Sequence, residues 1–326
     1  MRHALAIGRR RWSNMKTTRL ALGASAEQSR AAQHSRTGRF VRETLAAYAF
    51  ILPAVLVYAA FLLYPLYNVF YSSLFDINTF SQKGDFVGLG NFAELMHDEV
   101  FLRALLNTVV YTIAIILLIN IPAIVFALIV DRERIKGNRM LRVVFFIPAI
   151  LAAALVGAAF KRIFAPFGAL NMILVGVGLD GLKHNWLGEP SLAMAAVILT
   201  TIWQSAGWNM VIYFARLREL PRDLYESAAL DGANEMGIIR HIKLPLLTDA
   251  IAVMVVINII GGFKVFDLIY VMTSGGPAHK TEVLTSFLYY QAFDFHRYGY
   301  ASAVAVIMLL IVLVFSWLRL RGTMTV

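Results

Sequence analysis

The sequence predicts an all-α polytopic membrane protein with six transmembrane helices, and three observations carry that expectation. Hydrophobic residues make up 59% of the 326 residues and charged ones only 15%, against roughly 45–50% and about 25% in a soluble domain. Six segments reach the length of about 20 mostly apolar residues that a bilayer crossing needs: 46–67, 105–130, 143–160, 191–215, 250–272 and 300–318. The basic residues, 30 Lys and Arg against 20 Asp and Glu, gather on one side of those segments. Together these features disfavour a soluble enzyme, a disordered chain and a nucleic-acid binder. The chain has no cysteine, which excludes disulfides, zinc-thiolate sites and thiol catalysis.

Residues 1–45 are basic and irregular, with Arg9, Arg10 and Arg11 in a row. No apolar stretch of the roughly 7–15 residues that a cleavable signal peptide needs precedes Thr44. The segment reads as a disordered tail beside anionic lipid, and Met15 is an alternative start. The first span lies in a charge-free stretch between Glu43 and Asp76, and the second and fourth contain no charge at all. The third is the shortest. Pro53, Pro65, Pro122 and Pro148 fall within or at the ends of spans. Membrane helices tolerate such breakers where neighbours re-satisfy the freed carbonyls, so the prolines argue for a packed bundle of bent helices. The domain reading is a tail over 1–45, a six-helix permeation domain over 46–320 that includes the loop 216–249, and a short tail over 321–326.

An even number of spans puts both termini on one side, together with 131–142 and 216–249. That side holds twenty-two of the thirty Lys and Arg residues, while the acidic residues split evenly. This is the positive-inside pattern, and it places both termini in the cytoplasm. The net charge of +10 therefore records topology and lipid contact. Tyr64, Tyr67, Phe70 and Tyr71 beyond the first span, and Trp317 in the last, sit where interfacial aromatics are expected.

Several motifs carry no chemistry. Gly176-Val-Gly178-Leu-Asp-Gly181 spells a dinucleotide fingerprint, but that needs a preceding strand and a following helix, so it reads as a loop turn. No phosphate-binding G-x-x-x-x-G-K-[ST] motif occurs, and the seven histidines show no metal-ligand spacing. Asp98 and Glu99 read as loop residues.

The loop 216–249 differs from the others. Pro221, Arg222 and Asp223 suit a helix start, Tyr225 to Leu230 favour helix, and Gly232 allows a break. Ile238, Ile239, Ile242 and Leu244 form an apolar stripe, and Pro245 marks the entry to the fifth span. Ala228, Ala229 and Ala233 let another surface come close to the backbone, with Glu226 and Asp231 beside them. Two readings remain open on these grounds: a docking helix, or an amphipathic helix serving the lipid surface alone.

Glu226-Ser-Ala-Ala-Leu-Asp231-Gly232-Ala233, continuing to Pro245, resembles the E-A-A-x-x-D-G-A loop of bacterial ABC-importer permeases, with Ser227 in place of the first alanine. Val87-Gly88-Leu89-Gly90-Asn91-Phe92, Asn107-Thr108, Phe167-Gly168-x-x-Asn171 and Thr273-x-Gly275-Gly276-Pro277 extend the resemblance from about residue 45 onward. They point to the maltose and glycerol-3-phosphate class. The resemblance implies a type I importer permease fold in the bacterial inner membrane. It implies a second permease subunit, two ATPase subunits that carry the ATP and magnesium, and an external solute-binding protein. The chain itself would hold no cofactor and hydrolyse nothing. Glu226, Ser227, Ala228, Ala229, Asp231, Gly232, Ala233 and Pro245 would couple it to the ATPase.

Polar residues at membrane depth are candidates for a pathway. Thr201, Gln204, Ser205 and Trp208 recur at helical spacing with Asn209 adjacent, and Asn258, Gly262 and Lys264 fall in the fifth span. An aromatic plate beside amides and hydroxyls suits a sugar. The same residues can equally serve as interhelical glue. Lys264 and Asp267 stand at a spacing that allows a mutual pair on one helix face. Glycerol-3-phosphate, a glycerophosphodiester or a polyol is the alternative substrate, and a membrane-embedded enzyme or receptor is the remote one.

Overall fold

The computed structural model describes residues 47–78, 84–132, 137–221 and 223–323. The basic tail with Met15, Arg222 and the last three residues lie outside the described residues. The chain divides into two units, Met1–Asn68 and Val69–Val326.

The described part of the first unit belongs to helix α1, Ala47–Ser72. Pro65 offers no N–H to the carbonyl four residues back, and its ring crowds that carbonyl. The turn just before it, Ala59–Leu63, opens into a π-helix, which accommodates the ring without ending the helix.

The second unit opens with a short antiparallel pair, β1 (Phe75–Asp76) and β2 (Asp85–Phe86), and helix α2 (Gly90–Leu95). Helix α3 (Glu99–Asp131) starts on an N-cap. The Asp98 carboxylate accepts from the backbone N–H groups of Val100 and Phe101, satisfying donors that have no partner within the helix. Asp98 thus sits in the loop and caps the helix, while Glu99, expected in the loop, is the first residue of the helix. Along α3 the buried positions Phe101, Ala104, Thr108, Tyr111, Ile115, Ile119, Ala123 and Ala127 recur every three or four residues, so one stripe faces the bundle. Pro122 stays inside this continuous helix.

The expected third span is two helices, α4 (Asn138–Ile150) and α5 (Ala153–Ile163), bent by 94° at Leu151 and Ala152. Helix α6 (Ala169–Gly176) follows. The fingerprint glycines therefore end and follow a helix, not a strand: Gly176 closes α6, and Gly178 and Gly181 come after it. Helix α7 (Ala193–Glu219) lies along α3 and contacts α4, α5 and α10. Small residues permit that closeness. A Cβ on Gly207 would lie 1.8 Å from the Phe145 carbonyl oxygen of α4.

Helix α8 (Asp223–Leu230) and helix α9 (Glu235–Leu246) make up the loop singled out from the sequence. In α9 the turn Ile239–Lys243 is again π-helical just ahead of a proline, Pro245, for the reason given at Pro65. Helix α10 (Thr248–Phe263) and helix α11 (Asp267–Met272) share what was expected as one span, with a break between them. The three-residue spacing of Lys264 and Asp267 consequently does not lie on one helix, and no ion pair joins them. Helix α12 (Leu284–Tyr289) and helix α13 (Tyr298–Thr323) complete the unit, with α13 packed on α10, α2 and α12.

Among the described residues four helices are long and apolar enough to cross a membrane, and six crossings result when each bent pair counts as one. A side chain from a neighbouring element meets a freed carbonyl at the α4–α5 break, where Gln204 donates to Leu151 at 2.9 Å, and at the α10–α11 break, where the Thr285 hydroxyl donates to Val265.

Candidate functional site

At one end of the bundle, α8 presents an exposed face. Its C-terminus is a Schellman motif: Ala233 N–H donates to Ala228 at 2.9 Å and Gly232 N–H to Ala229 at 3.1 Å. Gly232 occupies the left-handed position with φ 86°, which glycine adopts without a Cβ clash. Asn234 then caps α9 by accepting from Gly237 N–H at 2.8 Å. This chemistry is local, so the helix–break–helix shape follows from the sequence. Glu226, Ser227, Ala229, Asp231, Gly232, Ala233 and Pro245 are exposed, Ala228 is half-buried, and Leu230 projects with 89% of its surface open. Ile238, Ile239, Ile242 and Leu244 are half-buried beneath, as the apolar stripe predicted.

Behind α8 lies an ionic cluster. Asp131 at the end of α3 meets Lys243 at 2.6 Å and Arg218 at 3.4 Å. The ammonium of Lys243 sits 5.1 Å from the centre of the Tyr225 ring. Burial, and then the nearby Asp131 charge, pushes the Tyr225 hydroxyl above its ordinary pKa.

A second site is a cavity of about 210 Å³ between α3, α7 and the α10–α11 break. Of the eight residues expected on a pathway it gathers five: Thr201, Gln204, Ser205, Asn258 and Lys264. The other three lie elsewhere. Trp208 is half exposed and stacks with Phe146 at 6.3 Å. Asn209 is buried in a polar knot, donating to Asn120 at 3.4 Å and to Asn258 at 3.5 Å, while Tyr213 donates to Asn120. Gly262 admits a close approach, since a Cβ there would lie 2.4 Å from the Thr112 hydroxyl oxygen.

The cavity also holds Tyr111 and Phe266, which the sequence reading missed, and Asp267, which it read as a partner for Lys264. The Tyr111 hydroxyl shares a 2.9 Å hydrogen bond with Thr201. Its signal was present, because Thr108, Tyr111 and Thr112 form a polar patch at helical spacing in the second span. Phe266 had none, since it lies in the break between α10 and α11. Among the described residues no group of His, Asp and Glu side chains is placed to hold a metal ion.

At the opposite end, motif residues far apart in sequence come together. Asn107 donates to the His279 carbonyl at 3.0 Å and the Glu282 carbonyl at 2.8 Å, and Leu284 N–H donates to the Thr108 hydroxyl at 2.9 Å. They anchor the segment that follows Gly275 and Gly276. A cavity of about 490 Å³ opens there, bordered by Asp98, Gly275, His279, Glu282 and Tyr290. Burial raises the pKa of the Glu282 carboxyl. The hydrogen bond from His279 and its charge oppose that rise, and Asp98 adds to it. Asn171 donates to Pro166 at 3.0 Å and His184 at 2.8 Å and accepts from the Trp186 indole at 2.9 Å. Asn91 donates to Ser73 at 2.9 Å and Phe75 at 3.0 Å.

Known proteins share both sequence and shape with this chain. A probable ABC transporter permease protein of Bacillus subtilis, YurN, is 37% identical over 276 residues, 84% of this chain and 94% of its own length. The lactose transport system permease LacF of Rhizobium radiobacter is 30% identical, across 83% of this chain and 91% of its own. The trehalose/maltose transport system permease MalF of Thermococcus litoralis is 31% identical, across 86% and 94%. A chain of a bacterial alginate ABC transporter, solved in complex with its alginate pentasaccharide-bound periplasmic protein, superposes with a TM-score of 0.76 at 25% identity, covering 86% of this chain and 94% of that one. Residues 87–321 match one family throughout, and the chain belongs to it: it is a binding-protein-dependent transport system inner membrane component.

Proposed function

We propose that the chain is the permease subunit of an ABC importer for a sugar, holding half of the translocation pathway and coupling it to ATP hydrolysis by a separate subunit. The observation that carries this reading is the exposed helix α8, ended at Gly232 and backed by the rest of the bundle. Its small residues and its carboxylates Glu226 and Asp231 suit a cleft on an ATPase, and the Lys and Arg asymmetry supports the cytoplasmic side for this loop and both termini. Two such ATPase subunits bind the ATP and magnesium, a second permease completes the pathway, and an extracytoplasmic binding protein delivers the solute; the alginate transporter was solved with its alginate pentasaccharide-bound periplasmic protein. Lactose and trehalose/maltose are named for the relatives, which supports a sugar. Lys264 is the only cation among the described residues that border the cavity, and this favours a neutral sugar over a phosphorylated one. Thr201, Gln204, Ser205 and Asn258 offer the amides and hydroxyls that sugar hydroxyls need, with Tyr111 and Phe266 as ring surfaces.

The test is purification of the chain with its ATPase subunit, followed by uptake in proteoliposomes. Gly232→Pro places a ring locked near −65° where φ is 86°. It is expected to insert normally and to lose ATP-driven uptake. Full uptake by that variant overturns the coupling assignment.

A further inference from the structure

Three segments distant in sequence meet at one carboxylate behind α8. Asp131 is the last residue of α3, Arg218 lies in the last turn of α7, and Lys243 closes the π turn of α9. Lys243 Nζ stands 2.6 Å from Asp131 Oδ2 and Arg218 Nε 3.4 Å from Oδ1. The Asp131 side chain is only 10% exposed, so water screens this junction less than it would a surface pair. Neighbouring charges are paired on the rim, Arg132 with Glu235 at 2.7 Å and Arg216 with Glu219 at 3.0 Å.

Tyr225 approaches the junction from α8. Its hydroxyl oxygen is buried and has no hydrogen-bond partner, although buried polar atoms are nearly always satisfied. Tyr225 and Glu226 border the same cavity of about 290 Å³ as Asp131, Arg218 and Lys243. An unpaired donor, a nearby carboxylate and space between the elements make an uncompleted contact.

We propose that Asp131 and Tyr225 are positioning residues for transport. When α8 is displaced by the ATPase, the Tyr225 hydroxyl donates to the Asp131 carboxylate, and the displacement passes through Asp131 to α3, α7 and α9 together. This inference rests on the transport reading above. It adds to it the route by which motion of the exposed loop reaches the helices that line the cavity.

The experiment uses the whole transporter in proteoliposomes, with both permeases, the ATPase subunits and the sugar-loaded binding protein. Uptake and ATP hydrolysis are measured for Asp131→Asn, Asp131→Glu and Tyr225→Phe. Asp131→Asn is expected to keep ATP hydrolysis and to lower sugar moved per ATP by about tenfold, with Asp131→Glu restoring most of the ratio. Tyr225→Phe is expected to lower maximal uptake by about fivefold at an unchanged half-saturating concentration of binding protein. A merely structural role would reduce assembly, uptake and hydrolysis together and leave the ratio alone. An unchanged ratio in an assembled Asp131→Asn transporter overturns the proposal. If Asp131→Asn fails to assemble, Tyr225→Phe decides, and wild-type uptake by that variant overturns it. Failure of the unaltered chain to bind any ATPase subunit would instead remove the transport reading, and this role with it.

Discussion

Gln204 of α7 donates its side-chain amide to the Leu151 carbonyl, 2.9 Å away, where α4 and α5 part at 94°. A carbonyl freed at a helix break inside a bundle has no water to turn to, and here a side chain 53 positions away in sequence meets it. Gln204 also borders the candidate sugar cavity, so glue and pathway, alternatives at the level of sequence, fall on one residue.

Gln204→Leu keeps the volume and removes the donor. The orphaned carbonyl is expected to cost about 1–3 kcal/mol. Thermal unfolding in detergent checks this through a lowered midpoint.

Gly207 lets α7 meet the backbone of α4, since a Cβ would stand 1.8 Å from the Phe145 carbonyl oxygen. Backbone cannot step aside as a flexible side chain can. Gly207→Val is expected to destabilise by about 3 kcal/mol or more through overpacking. Membrane yield and resistance to limited proteolysis give the measurement.

Asn171 closes its loop with contacts to Ala165, Pro166, His184 and the Trp186 indole. Asn171→Ala leaves buried polar groups without partners and is expected to cost about 2–3 kcal/mol. It should also speed proteolytic cleavage between residues 164 and 190. A cleavage rate equal to that of the unaltered protein would contradict it.

Glu282 carries a carboxyl whose pKa burial raises above the ordinary value. The folded state therefore favours its protonated form. The contribution to stability is fully present below the ordinary carboxylate range and is lost as pH rises through the raised value. Glu282→Gln stays neutral, so its unfolding midpoint is expected to fall less over that window. Midpoints measured across the window for both proteins check this.

Most of the site at the α8 end was legible because its determinants are local. Gly232 at a left-handed position, Asn234 at a cap and the alanines between them act within a few residues of each other. The asparagines 91, 107 and 171 were visible as motifs but not as mechanism. Each turns out to tie backbone carbonyls of a loop, two of them within 20 residues and one across 175. Lys264 and Asp267 illustrate the opposite case. Their spacing allowed a pair on one helix, and the helix ends at Phe263 instead.

The sequence by itself determined the apolar spans, the one-sided placement of Lys and Arg, and the exposed loop, because hydropathy, charge count and capping are additive properties of short windows. Only the tertiary structure decided that two spans are broken, that Tyr111 and Phe266 share a cavity with Gln204 and Asn258, and that Asp131 joins three helices behind Tyr225. Those features depend on which carbonyl, carboxylate or void a side chain meets across the bundle. The partners of one residue lie tens to more than a hundred positions away, beyond the reach of any local pattern.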